Sequence, residues 1–172
     1  MRSRKIIALS SVTVLLVAAC ATTPKEPAAT AQLLARSGST VSGTANFSEL
    51  SGGVGISAQV RGLTPGDHGF HIHESGDCSA ADAMSAQGHF NPDAKAHGDP
   101  SRAEHHAGDM PNLKANAQGE ATYEFQLMGV TLSGPTGILG RSVVVHADPD
   151  DYNSQPAGNS GKRVACGAIV SR

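Results

Sequence analysis

From about residue 32 onward, hydrophobic and polar residues alternate in short runs separated by turn residues. Such alternation marks half-buried β-strands, because successive side chains on a strand point to opposite faces. The runs fall at residues 40–47, 54–60, 69–73, 113–117, 121–125, 142–146 and 163–170. Val54-Gly55-Ile56-Ser57-Ala58-Gln59-Val60 and Val143-Val144-Val145-His146 carry the β-branched residues that strands favour. Ser51-Gly52-Gly53, Pro65-Gly66 and Gln118-Gly119 stand where hairpin turns are needed. No stretch shows helical periodicity, so the pattern predicts an all-β sandwich or barrel of antiparallel strands.

Two stretches break the pattern. Residues 74–111 are polar and poor in strand signals, with Gly76, Gly88, Pro92, Gly98, Pro100 and Gly108 spread along them. A loop of this size inside a compact domain is uncommon unless it has a function. Residues 147–162 form the second stretch, rich in Asp, Gly and Asn.

The candidate chemistry lies in and beside these stretches. The chain has eight histidines and no tryptophan, and six of the histidines form a dispersed set: His71, His73, His89, His97, His106 and His146, with Asp109 three residues after His106. In Phe70-His71-Ile72-His73, the period of two sends both imidazoles to one face and Phe70 and Ile72 to the other, giving one face for chemistry and one for the core. A lone histidine is more often a hydrogen-bonded structural residue than a ligand, and His68 is read that way. The dispersed set points instead to metal binding. A bound metal also orders a loop that lacks a core of its own.

At 172 residues the chain suits one domain plus an address segment. Residues 1–19 read as a leader, with Arg2, Arg4 and Lys5 ahead of an apolar run shorter than a membrane span needs. Val17-Ala18-Ala19-Cys20 resembles the bacterial lipobox, in which the cysteine becomes the lipidated first residue; an ordinary secretory signal with an incidental cysteine is the competing reading. Ala21 after Cys20 favours, by the same resemblance, the outer membrane of a bacterial envelope, with the domain facing the periplasm. Residues 20–29 then form a flexible tether and 30–172 the domain.

Removing residues 1–19 takes three of the 13 basic residues and none of the 15 acidic ones, leaving a formal charge of about −5. A nucleic-acid partner is excluded on that ground, since neutralising phosphates needs a basic surface. Membrane contact is expected only through the lipid. With Cys20 assigned to lipid, Cys78 and Cys166 remain as an expected disulfide in an oxidising compartment, the alternative being two metal-binding thiolates.

Gly69-Phe70-His71-Ile72-His73-Glu74, His89-Phe90-Asn91-Pro92, His97-Gly98, His106-Ala107-Gly108-Asp109, Gly140-Arg141-Ser142-Val143-Val144-Val145-His146 and Gly161-Lys162-Arg163-Val164-Ala165-Cys166-Gly167 together resemble the copper/zinc superoxide dismutases, in the family's order and from about residue 30 to the end. The resemblance implies a Greek-key β-barrel or sandwich of about eight antiparallel strands with two long functional loops. It assigns copper to His71, His73, His89 and His146, and zinc to His89, His97, His106 and Asp109, so that one imidazole, His89, bridges both ions. Only His106, and not its neighbour His105, stands in the family's spacing to Asp109.

The implied reaction is dismutation of the superoxide anion to dioxygen and hydrogen peroxide by a copper ion that alternates between two oxidation states. Zinc, which has no redox chemistry, is structural and electrostatic. His89 would exchange a proton as its copper side opens, and Arg163 would attract and orient the anion. Asp150 aligns with the carboxylate that links a copper histidine to a zinc histidine. The stretch before Arg163 is shorter than in the family's eukaryotic members and lacks their charged cluster, with Lys162 a partial substitute. No aromatic apolar strip selects between a monomer and a homodimer. The rival expectations are a periplasmic copper or zinc delivery protein on the same fold, which has no need of Arg163, and a metal-free structural lipoprotein.

Overall fold

The computed structural model describes residues 27–172, so the expected leader, Cys20 and most of the tether lie outside the described residues. Ten strands follow in chain order: β1 (Ala29–Ala35), β2 (Ser42–Leu50), β3 (Gly53–Arg61), β4 (Gly66–His68), β5 (Phe70–His73), β6 (Leu113–Ala115), β7 (Glu120–Met128), β8 (Ser142–His146), β9 (Arg163–Ala168) and β10 (Val170–Ser171). A single 3-10 turn, Met84–Ala86, is the one helical element among the described residues.

All pairings between these strands are antiparallel. The main sheet runs β5-β8-β9-β1-β2-β3-β7 with β10 beside β1, and β4 pairs with β6. The neighbours β5 and β8, and β9 and β1, are distant in sequence, which gives the crossovers of a Greek key. β4 and β5 are one course of chain broken at Gly69, whose carbonyl accepts from His146 N at 2.8 Å while its N–H donates to the Asp148 carbonyl at 2.9 Å. Through β4 and β6 the two ends of the sheet approach each other, and the sheet curls into a barrel.

β1 is a strand that the hydrophobic pattern does not predict, since the first expected run starts at residue 40. Ala29, Ala31 and Leu33 alternate inward along it, and the strand lies in the middle of the sheet. Alanine adds little to a hydrophobic pattern, so the alternation there is faint although the strand is central.

The core fills the barrel with Leu33, Phe47, Ile56, Phe70, Ile72, Val143, Val145 and Ala165 among others. Phe70 and Ile72 face inward as the period of two requires, which turns His71 and His73 to the outer face. That face is buried too, because residues 74–112 fold back over it. Val144 and Cys166 project on the same outer side and pack with Ala83, Ala86 and Cys78. The Cys78–Cys166 disulfide spans 88 residues with Cα atoms 5.7 Å apart, fastening the loop to β9. By the chain-entropy model, closing a loop of that length stabilises the fold by roughly 4 to 5 kcal/mol.

β8 and β9 pair regularly from Ser142↔Ala168 to Val145↔Ala165, and then the register slips so that His146 faces Arg163. One extra residue, Val164, is accommodated in this β-bulge. Without it, the alternation that places Ala165 inward and Cys166 outward would turn Arg163 into the barrel. With it, Arg163 shares the outer face with His146, the re-aiming of a side chain for which bulges are used.

Candidate metal centre

Two four-residue groups gather on the outer face. His71, His73, His89 and His146 bring their ligand atoms within 4.8 Å of one another, as do His89, His97, His106 and Asp109, and all seven residues are buried. β5 supplies His71 and His73, the end of β8 supplies His146, and the long loop supplies the rest. Backbone bonds stitch that loop to β5: Ile72 N to the Gly108 carbonyl at 3.0 Å, and Phe90 N to the Ile72 carbonyl at 2.9 Å. Gly108 permits the approach, since a Cβ there would lie 2.3 Å from the Ile72 oxygen.

In the second group, Asp109 Oδ1 lies 2.8 Å from His89 Nδ1, 3.0 Å from His97 Nδ1 and 3.4 Å from His106 Nδ1, and the His89 and His106 Nδ1 atoms are 3.4 Å apart. A tetrahedron around zinc, with metal–ligand distances of about 2.0 to 2.1 Å, has corners about 3.3 Å apart. Three imidazoles and a carboxylate at this spacing fit zinc. Asp109 is turned for the task by its other oxygen, Oδ2, which accepts from Gly98 N at 3.1 Å and His106 N at 2.8 Å.

In the first group the hydrogen bonds choose which nitrogen is free. His73 Nδ1 donates to the Gln87 carbonyl at 2.9 Å, leaving its Nε2 3.4 Å from His146 Nε2. His71 Nε2 donates to Asp150 Oδ2 at 2.8 Å, leaving Nδ1 buried without a partner. His89 Nε2 is likewise buried without a partner, on the opposite side of the ring from its contact with Asp109. Four inward-turned nitrogens fit copper. His89 thus offers one nitrogen to each group.

Asp150 links the groups from outside, accepting from His71 Nε2 at 2.8 Å and His97 Nε2 at 2.9 Å. Burial works to raise its pKa, but the bonds from the two histidines outweigh burial and hold it below the usual carboxylate range. Asp109 behaves the same way, with burial opposed by bonds from His106, His89 and His97. Burial lowers the imidazole of His89 to about 3 and pushes His73 and His146 well below the ordinary value, with neighbouring histidines adding to the effect. Neutral imidazoles are the form that binds metal.

Arg163 is half-buried on the same face and donates Nη1 to the Ala83 carbonyl at 2.8 Å. His68 stands outside both groups, its Nδ1 2.9 Å from the His146 carbonyl and its Nε2 2.9 Å from that of Thr64, a structural role beneath β8. His105 turns to the His106 carbonyl at 2.6 Å and joins neither group.

Several supporting residues have no signature in the sequence. Asn112 grips Asp150 from both sides, donating Nδ2 to its carbonyl at 3.0 Å and accepting from its N–H at 2.8 Å. Gln155 does the same for His97, accepting from its N–H at 2.9 Å and donating to its carbonyl at 2.8 Å. Gly158, at φ +67°, leaves room for the carboxylate: a Cβ there would lie 1.8 Å from Asp150 Oδ1. Amides and a glycine in a polar loop carry no spacing signal, so only the folded chain reveals them.

Residues 41–169 match the family model described as copper/zinc superoxide dismutase. The chain is similar to a copper/zinc superoxide dismutase of Deinococcus radiodurans, 42% identical over 155 residues that cover 84% of this chain and 85% of that one. It is also similar to such an enzyme of Brassica juncea, 46% identical with 75% of this chain and 89% of the relative covered, and to an extracellular one of Brugia pahangi, 43% identical with 76% and 69% covered. The chain belongs to the copper/zinc superoxide dismutase family.

Proposed function

We infer that the protein dismutates superoxide to dioxygen and hydrogen peroxide at a centre in which His71, His73, His89 and His146 hold copper and His89, His97, His106 and Asp109 hold zinc. The observation that carries this reading is His89, with Nδ1 in one group and Nε2 in the other. Copper, when bound, supplies the one-electron couple that takes an electron from one superoxide and returns it to the next. The protein does the rest. His73 and His71 are fixed in orientation by the Gln87 carbonyl and Asp150, so their free nitrogens need no rearrangement. His89 Nε2 would carry one of the two protons that hydrogen peroxide needs, the other coming from solvent. Arg163 draws in the anion, which a chain of net negative charge otherwise repels.

A delivery protein on the same fold has no use for a cation turned by a bulge toward the copper group, and Arg163 favours the enzyme. The test is superoxide decay followed by pulse radiolysis on copper- and zinc-loaded protein. Catalysis is expected, and a rate no higher than that of the His71→Ala, His73→Ala variant would overturn the reading.

We further propose that the enzyme is a lipoprotein of the bacterial envelope, anchored through Cys20, assigned to the outer membrane by Ala21 and facing the periplasm. What supports this is the basic, apolar and small-residue order of residues 1–20. Incorporation of labelled palmitate that is lost in Cys20→Ala tests it, and equal labelling of both would contradict it.

A further inference from the structure

We propose that Ser37, on the turn between β1 and β2, is a positioning residue for Arg163. The proposal rests on the reading that Arg163 guides the anion. Ser37 reaches the arginine by two routes. Its Oγ donates to the carbonyl of Arg163 at 2.8 Å, and its N–H donates to the Ala81 carbonyl at 2.7 Å. Ala81 lies in the loop segment whose Ala83 carbonyl accepts Arg163 Nη1 at 2.8 Å. One residue therefore ties the backbone beneath the guanidinium to the segment that holds its tip.

The rest of the turn serves the same junction. Arg36 N and Ser39 Oγ both donate to the Val164 carbonyl, at 2.8 and 2.6 Å, and Arg36 Nε donates to the Cys78 carbonyl at 2.7 Å. Arg163 and Val164 are the residues of the β-bulge, where the register to β8 slips by one residue. A bulge disrupts the ladder locally and increases its twist, and an arginine at its edge would move with any change in that twist. Three donors from one turn fix those two carbonyls.

Backbone conformation marks the same two anchor points. Ser37 has φ 53° and Ala83 has φ 58°, both in the left-handed region that non-glycine residues seldom occupy. Residues held there persist only when their surroundings over-determine them. Here those surroundings are the bonds that meet at Arg163. The sequence from Arg36 to Ser39 lies far from every ligand and has no metal-binding side chain, so the role is visible only in the fold.

Ser37→Gly isolates the hydroxyl, because glycine accepts the positive φ and keeps the N–H. In copper- and zinc-loaded protein, azide affinity is measured by optical titration for the parent, Ser37→Gly, Arg163→Ala and the double variant, with metal content and melting temperature recorded for each. Ser37→Gly is expected to weaken azide binding roughly three- to tenfold, the effect of one hydrogen bond, with metal content unchanged. In the Arg163→Ala background the same change should have no further effect. Where Arg163→Ala itself weakens azide binding, equal weakening by Ser37→Gly in both backgrounds, or no weakening in either, overturns the proposal.

The Arg163 side-chain Nε–H resonance of zinc-loaded, copper-free protein separates the two readings. A shift of that resonance in Ser37→Gly supports the positioning role even if Arg163→Ala leaves azide binding unchanged, an outcome that would sink the anion-guiding role alone. An unmoved resonance overturns the positioning role.

Discussion

His146 and Arg163 face each other across β8 and β9 at the point where the ladder slips by one residue. The slip puts a copper-group imidazole and a cation on one face of the sheet. Arg163→Ala should therefore lower the catalytic rate by about tenfold or more and flatten its dependence on ionic strength, while copper and zinc content stay the same. Stopped-flow rates at several salt concentrations check this, and unchanged kinetics would remove Arg163 from the site.

Asp150 holds His71 and His97 by separate oxygens. Asp150→Asn keeps the shape but replaces one acceptor oxygen by a donor, so one of the two imidazoles loses its partner. Zinc affinity is expected to fall about 10- to 100-fold, as measured by competition with a chelator. An affinity within a factor of two of the parent would mean that the bridge does not orient the ligands.

Gly158→Ala tests the same carboxylate sterically. Its Cβ would lie 1.8 Å from Asp150 Oδ1 and 2.7 Å from His97 Nε2, well inside van der Waals contact, and its φ of +67° adds strain. The variant should lose zinc on dialysis against a chelator that leaves the parent loaded. Equal retention would contradict the crowding.

The pH dependence of the metal-free fold follows from the buried imidazoles. Burial lowers His73, His89 and His146, His89 to about 3, so their contribution is complete above about 6.5 and is lost as pH falls toward 3. His97 runs the other way: burial lowers it, but Asp109 and Asp150 prevail and raise it to about 9, so its contribution is complete below about 6.5 and fades as pH rises through 9. Three groups outweigh one on the acid side. Denaturant midpoints of metal-free protein should fall steadily from pH 6.5 to pH 4, and a flat profile would contradict this balance.

Much of this architecture is legible in the sequence, and the reasons differ by element. Phe70-His71-Ile72-His73 announces both its strand and its two faces, because large apolar residues alternate there with residues that have their own chemistry. β1 is faint because Ala29 and Ala31 are buried by position rather than by size. The seven metal-group residues are legible by type and by family resemblance, and the fold brings all seven together. The division of His89 between two groups depends on which ring nitrogen faces which neighbours, and residue spacing holds no information about that. The bulge at Val164, the grip of Asn112 and Gln155, and the room left by Gly158 are equally silent, being relations between segments that meet only after folding.

The shared imidazole of His89 is open to measurement by magnetic coupling. Protein loaded with copper(II) in one group and cobalt(II) in the other should show no isolated copper signal in its electron paramagnetic resonance spectrum, because His89 joins the two spins. An ordinary, uncoupled copper signal from fully loaded protein would show that His89 does not bridge the groups.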